Sequence, residues 1–195
     1  KSVFLQTTLP TEEQKKLLLK DKYSSQALLD INTINIHDYK LVYSQVESFD
    51  ELKKEDINIS DSIFASPKFS FMTDKNYAFA GDIRKKYNEI TEKSYLILKL
   101  SAKVFTRYNP NDLEARLAIT MMHKGKGYDF KCIEIGKLGL KSNEWNSIEF
   151  YIWTIDFWDR RDVIQSYFWN MSDKPIFVDD LKIEAYEPLV DETVF

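Results

Sequence analysis

Cysteine is almost absent from this chain: Cys132 is the only one in 195 residues. An internal disulfide, a cysteine-based zinc site and a CxxC redox pair are thereby excluded. Cys132 sits in the strand-like run from Tyr128 to Ile135 and reads as a structural, half-buried thiol, since a nucleophile needs a base partner. Histidine is nearly as scarce, and neither His37 nor His123 lies beside a serine or cysteine partner, so both are expected at the surface. There is no run of roughly 18 apolar residues to span a membrane. The formal net charge of -4 lacks the clustered basic excess that a nucleic-acid footprint needs. No glycine-rich loop is suited to cradling phosphate, and no histidine spacing suits a metal. The chain opens Lys1-Ser2-Val3-Phe4-Leu5, with neither signal-peptide regions nor an initiator methionine, and reads as a processed or truncated piece.

Aromatic residues, by contrast, are plentiful. Phe, Tyr and Trp make up 14% of a chain that is 44% hydrophobic, enough for one sizeable core without staples. Thr11-Glu12-Glu13-Gln14 reads as a helix start with a capping box, followed by Leu17, Leu18 and Leu19. Residues 1–40 are therefore expected to form a helical segment or linker. From Tyr39 onward the period changes to two. Leu96, Leu98, Leu100, Ala102 and Val104 alternate with more polar neighbours, as do Leu117, Ile119 and Met121, then Ile148, Phe150 and Ile152, then Phe177, Leu181 and Ile183. Turn signals separate these runs at Asn109-Pro110, Lys124-Gly125, Ser142-Asn143 and Lys174-Pro175. Short strands without intervening helices predict an all-β fold, an antiparallel β-sandwich or jelly roll, over residues 41–187, with a tail at 188–195. Leu98, Leu100, Leu117, Ile119, Ile148, Phe150, Leu181 and Ile183 should face its core. Trp145 and Trp169, at strand ends among apolar neighbours, are expected to pack structurally.

The last strands add a more specific signal. Asn143-Glu144-Trp145-Asn146-Ser147-Ile148 is followed by Tyr167-Phe168-Trp169-Asn170 and then by Ile176-Phe177-Val178-Asp179-Asp180-Leu181-Lys182-Ile183. Upstream stand Ser48-Phe49-Asp50 and Ala65-Ser66-Pro67-Lys68-Phe69-Ser70. In this order the segments resemble jelly-roll carbohydrate-binding modules of the galactose-binding-like type. The resemblance implies a non-catalytic module that binds a polysaccharide or other glycan. Its setting would be a larger bacterial extracytoplasmic protein (periplasmic, cell-surface or secreted), with an upstream domain of the same polypeptide as neighbour. It also implies structural calcium held by Asp179, Asp50 and a carbonyl near Lys68, an oxygen-only set that calcium prefers. Two departures bear on that site: Asp50 stands where glutamate is usual and Pro67 where glycine is usual. By parity with Phe177, Leu181 and Ile183, Asp179 should lean toward the core, where a carboxylate needs a cation or hydrogen-bond donors. The competing reading is that Asp179 accepts backbone N–H groups in a bulge.

For the ligand, the strand 147–154 turns Tyr151 and Trp153 outward, about 7 Å apart, as a platform on which a sugar ring could stack. Trp158, Asp159 and Arg160 on the following loop would supply further contacts. The alternative makes Tyr151 and Trp153 a second small core beneath the N-terminal helix, and the loop a solvated connection with local ion pairs. Two other functions stay open: a structural or protein-interaction appendage with no sugar ligand, and a glycoside hydrolase using a carboxylate pair.

Overall fold

The computed structural model describes residues 38–51, 58–154 and 157–189; the expected N-terminal helix lies outside them. Among the described residues the chain runs through ten strands: β1 (Tyr39–Glu47), β2 (Ile59–Ser60), β3 (Ser70–Thr73), β4 (Phe79–Lys86), β5 (Ile97–Phe105), β6 (Ala115–His123), β7 (Lys126–Glu134), β8 (Trp145–Trp153), β9 (Val163–Asn170) and β10 (Ile176–Pro188). They form two antiparallel sheets, and the sandwich expected from the alternation is the fold observed. One sheet has six strands, ordered β2-β3-β10-β5-β8 with β1 also on β10; the other has four, ordered β4-β9-β6-β7.

The core lies between the sheets because the period-2 pattern puts one apolar row on each inner face. In β5, Leu98, Leu100, Ala102 and Val104 are buried while Lys99, Ser101 and Lys103 are not. All eight core residues named from the sequence are buried in one cluster. Each such large side chain contributes about 1.5–3 kcal/mol relative to exposure. Asn170 is a polar exception at the end of β9. Its amide donates to the carbonyls of Thr73 (3.2 Å) and Lys174 (2.9 Å), and its oxygen accepts from the Ser172 N–H at 3.0 Å, closing the turn into β10.

Two bulges set which side chains face out. In β10 the register against β5 shifts between Asp179 and Lys182, with Asp180 at φ 48°. The shift reverses parity, so Ile176 and Val178 join Leu181 and Ile183 in the core while Phe177, expected inside, turns outward. In β4 the register against β9 shifts between Ala80 and Ile83, around Gly81 at φ +70°. A Cβ there would stand 2.2 Å from Leu181 Cδ2, so any other residue would have to displace that buried leucine as well as adopt the left-handed backbone. At the free edge of the four-stranded sheet, β7 carries Asp129 and Lys131 opposite the core residues Met121 and Ile119, paired to each other at 3.3 Å.

Candidate functional site

The residues expected to bind ligand fall in separate places. Tyr151 and Trp153 do lie on the outer side of the six-stranded sheet, opposite Lys99 and Ile97. They do not form an open platform there. Tyr151 is 7% exposed, beneath the Lys99 ammonium 5.4 Å from its ring centre, and Ile97 is fully buried. Trp153 is half-buried, and its indole N–H is buried with no partner among the described residues. Outward parity therefore places both aromatics in a second packed layer. Further along the same face, Lys99–Glu149 at 2.8 Å and Lys103–Asp180 at 3.0 Å pair across the strands.

Trp158, Asp159 and Arg160 stand instead at one end of the sandwich, in a loop organised by Asp162. The Asp162 carboxylate is sealed: it accepts from His123 Nδ1 (2.7 Å), the Tyr128 hydroxyl (2.9 Å) and the N–H groups of Trp158 (3.0 Å) and Asp159 (3.1 Å). Burial pushes its pKa up, but those donors outweigh burial and hold it below the ordinary carboxylate range. His123, expected to be a plain surface residue, is thus tied into the loop. Trp158 is left 64% exposed, stacked on Tyr128 with ring centres 4.2 Å apart. Asp159 pairs with Arg161 at 2.7 Å, and Arg160 pairs with Glu92, so both charges are met locally.

Asp50, Lys68 and Asp179 come together where β10 changes neighbour from β3 to β1. The segment 65–69 crosses that gap without a strand partner. Asp179, fully buried, accepts from the N–H groups of Ala65 (2.8 Å), Ser66 (3.0 Å) and Asp180 (2.8 Å). Asp50 accepts from the N–H groups of Lys68 and Phe69. Burial raises the pKa of Asp179 despite these bonds. This chemistry does not fit calcium. The Asp179 oxygens already accept three backbone N–H groups, and Asp50 takes the N–H groups of both Lys68 and Phe69 on one oxygen. No cluster of three or more acidic, histidine or cysteine side chains that could hold a metal occurs among the described residues.

The open aromatic surface lies elsewhere, on the outer face of the four-stranded sheet. β9 puts Ile164, Ser166, Phe168 and Asn170 inward, so Val163, Gln165, Tyr167 and Trp169 face out. Trp169, expected to pack structurally, is directly opposite Phe79 of β4, which is 55% exposed. The two rings stack at 5.7 Å and 13°, and Tyr167 meets Phe79 edge-on at 5.7 Å. Polar groups border these rings. The Arg116 guanidinium lies 5.9 Å from the Trp169 ring centre and pairs with Glu134 at 3.8 Å. Tyr167 and Thr120 share a hydroxyl hydrogen bond of 3.0 Å. Asp82 accepts from Gln165 (2.7 Å) and Arg84 (2.8 Å). The signal was present in the sequence as the outward half of the β9 alternation, Gln165, Tyr167 and Trp169.

No family model and no curated protein matches the chain. Among solved structures it is similar to the CBM22-1 xylan-binding domain from Paenibacillus barcinonensis, at 10% identity and a TM-score of 0.47 over 75% of this chain and 95% of that one. It is similar to the CBM22-2 xylan-binding domain from the same organism at 13% identity and a TM-score of 0.46, over 77% of this chain and 93% of that one. A Stig cyclase from Fischerella sp. TAU is similar at 8% identity and a TM-score of 0.41, over 84% of this chain and 95% of that one. Binding modules and an enzyme thus stand side by side, and function has to be read from the site itself.

Proposed function

We propose that this domain is a non-catalytic glycan-binding module whose ligand lies across the outer face of the four-stranded sheet. The observation that carries the reading is the aromatic patch of Phe79, Trp169 and Tyr167, with a 55% exposed phenylalanine at its edge. An exposed Phe79 joined to half-buried Tyr167 and Trp169 makes one contiguous apolar patch, and such patches mark binding surfaces. Sugar rings suit this one: their C–H faces stack on aromatic rings while their hydroxyls need donors and acceptors nearby. Arg116, Gln165 and Arg84 offer donors, and Asp82 and Glu134 offer acceptors. Binding favours this face over the platform first expected at Tyr151 and Trp153, which is packed. Trp158, at the sandwich end, adds a single exposed indole and serves as a secondary contact for a long chain.

A binder also suits the perturbed carboxylates better than a hydrolase does. Asp162 and Asp179 are each enclosed by donors, and neither offers an oxygen to a substrate in a cleft.

The test is retardation of the purified chain in affinity electrophoresis through gels containing soluble xylan, hydroxyethylcellulose or mannan, with product release monitored in parallel. Parent protein should be retarded by at least one polysaccharide without releasing sugar. Trp169→Ala and Phe79→Ala should each lose retardation, and Phe79→Ala should keep the parent melting temperature within about 2 °C. Retardation that survives both substitutions, or none on any of the three polymers, defeats the assignment.

A further inference from the structure

On the opposite sheet a separate cleft of about 410 Å3 opens beside the β2 edge. Its floor is Phe177 and Met72, neighbours across β10 and β3 that face outward because of the parity reversal at Asp179. Phe177 is braced edge-on against Phe105, which in turn tilts against Trp145. One wall is Arg107 and Tyr108, after the end of β5; Tyr108 is 42% exposed, with the Lys174 ammonium 5.4 Å from its ring centre. The other wall is Asp61 and Ser62, in the turn after β2.

The size and the chemistry of this cleft agree. It is large enough for one or two sugar rings. Its floor is apolar and aromatic, and its walls offer a guanidinium fork on one side and a carboxylate with a hydroxyl on the other. A fork donates two parallel hydrogen bonds, the geometry of adjacent hydroxyls on a pyranose ring. Arg107 and Asp61 both line the cleft, so a neutral ligand suits it better than an ion of either sign.

We infer that this cleft is a second saccharide site, taking the neutral end of a glycan or a short oligosaccharide. The inference rests on the glycan-binding reading and extends it. The flat face would hold the middle of a chain and the cleft would hold an end, on opposite sides of one sandwich. One domain could then join two polysaccharide chains, or hold one chain at two points with a gain in avidity.

The experiment is ligand-observed saturation-transfer NMR of the full chain with the methyl glycosides of glucose, galactose, xylose and mannose. Arg107→Ala/Tyr108→Ala alters only the cleft wall, and Phe79→Ala/Trp169→Ala alters only the flat face. At least one methyl glycoside should receive saturation from the parent. That transfer should persist in the flat-face variant and fall about tenfold or more in the cleft variant. No transfer to any of the four sugars overturns the inference, as does transfer that survives Arg107→Ala/Tyr108→Ala. Polysaccharide retardation reports on the flat face separately. A cleft that fails while retardation stands removes only the second site, and the converse result removes only the first.

Discussion

Removing the Asp162 carboxylate should unfasten the loop that presents Trp158. The side chain is 1% exposed and serves four donors: one imidazole, one phenol and two backbone N–H groups. Hydrogen bonds to a charged group are worth about 1.5–3 kcal/mol each, though donors that water can reach recover much of that. Trp158 and His123 are partly exposed, so Asp162→Ala should cost about 3–4 kcal/mol. In a domain of this size that corresponds to about 6–16 °C in melting temperature. Asp162→Asn keeps one acceptor but turns an NH2 toward donors, and should fall between Ala and the parent. Differential scanning calorimetry measures the shift. Near-UV circular dichroism should show weaker aromatic bands as the Trp158–Tyr128 stack loosens. The dependence on pH has a definite sign. The folded pKa of Asp162 lies below its unfolded value, so its stabilisation is present above the ordinary carboxylate range, about pH 4. It is lost as pH falls through the folded value. The gap between parent and Asp162→Asn should therefore narrow from pH 7 to pH 3. A gap that stays constant, or an alanine variant melting within about 2 °C of the parent, would refute the view that this ionised carboxylate holds the loop.

Gly81→Ala should destabilise by about 2–4 kcal/mol, from the left-handed backbone and the clash with Leu181, measured by urea unfolding; a neutral effect would show that β4 yields there. Trp153→Phe removes a buried N–H that has no partner among the described residues, and should leave stability within about 1 kcal/mol of the parent or raise it, by the same measurement. Thermal melts with excess EDTA and with excess calcium chloride should coincide within about 1 °C, because backbone N–H groups already engage the Asp50 and Asp179 carboxylates. Cys132 is buried, and burial raises its pKa, so a thiol reagent such as DTNB should label it in native protein far more slowly than in urea.

The sandwich was legible because β5, β6 and β8 keep a strict alternation, so that parity alone assigned Leu98, Leu117, Ile148 and their neighbours to the core. What alternation could not give was where the pattern breaks. Nothing local announces that Asp179-Asp180 is a bulge, yet that one extra residue turns Phe177 out and creates the floor of the cleft. Asp179 was correctly expected on the buried side, but by a parity rule that the bulge breaks. Parity also says which way a side chain points and not whether something covers it. Tyr151 and Tyr167 both point outward; the first is 7% exposed beneath Lys99, and the second lies in the open patch with Phe79. The roles of His123 and Asp162 depend on two residues 39 positions apart meeting at a sandwich end, which spacing does not reveal.

The Asp129–Lys131 pair on β7 has a bearing on how this molecule behaves in a crowd. Among the described residues β7 ends its sheet, so its outer N–H and C=O groups are a template on which another extended chain could pair. A second copy docking there would have to bring a continuous apolar row against two charges on the core side of the strand. Desolvating those charges opposes the union. Replacing Lys131 with valine would complete the apolar row opposite Ile119, strengthen the local strand pattern, and turn this sheet boundary into a seed for aggregation.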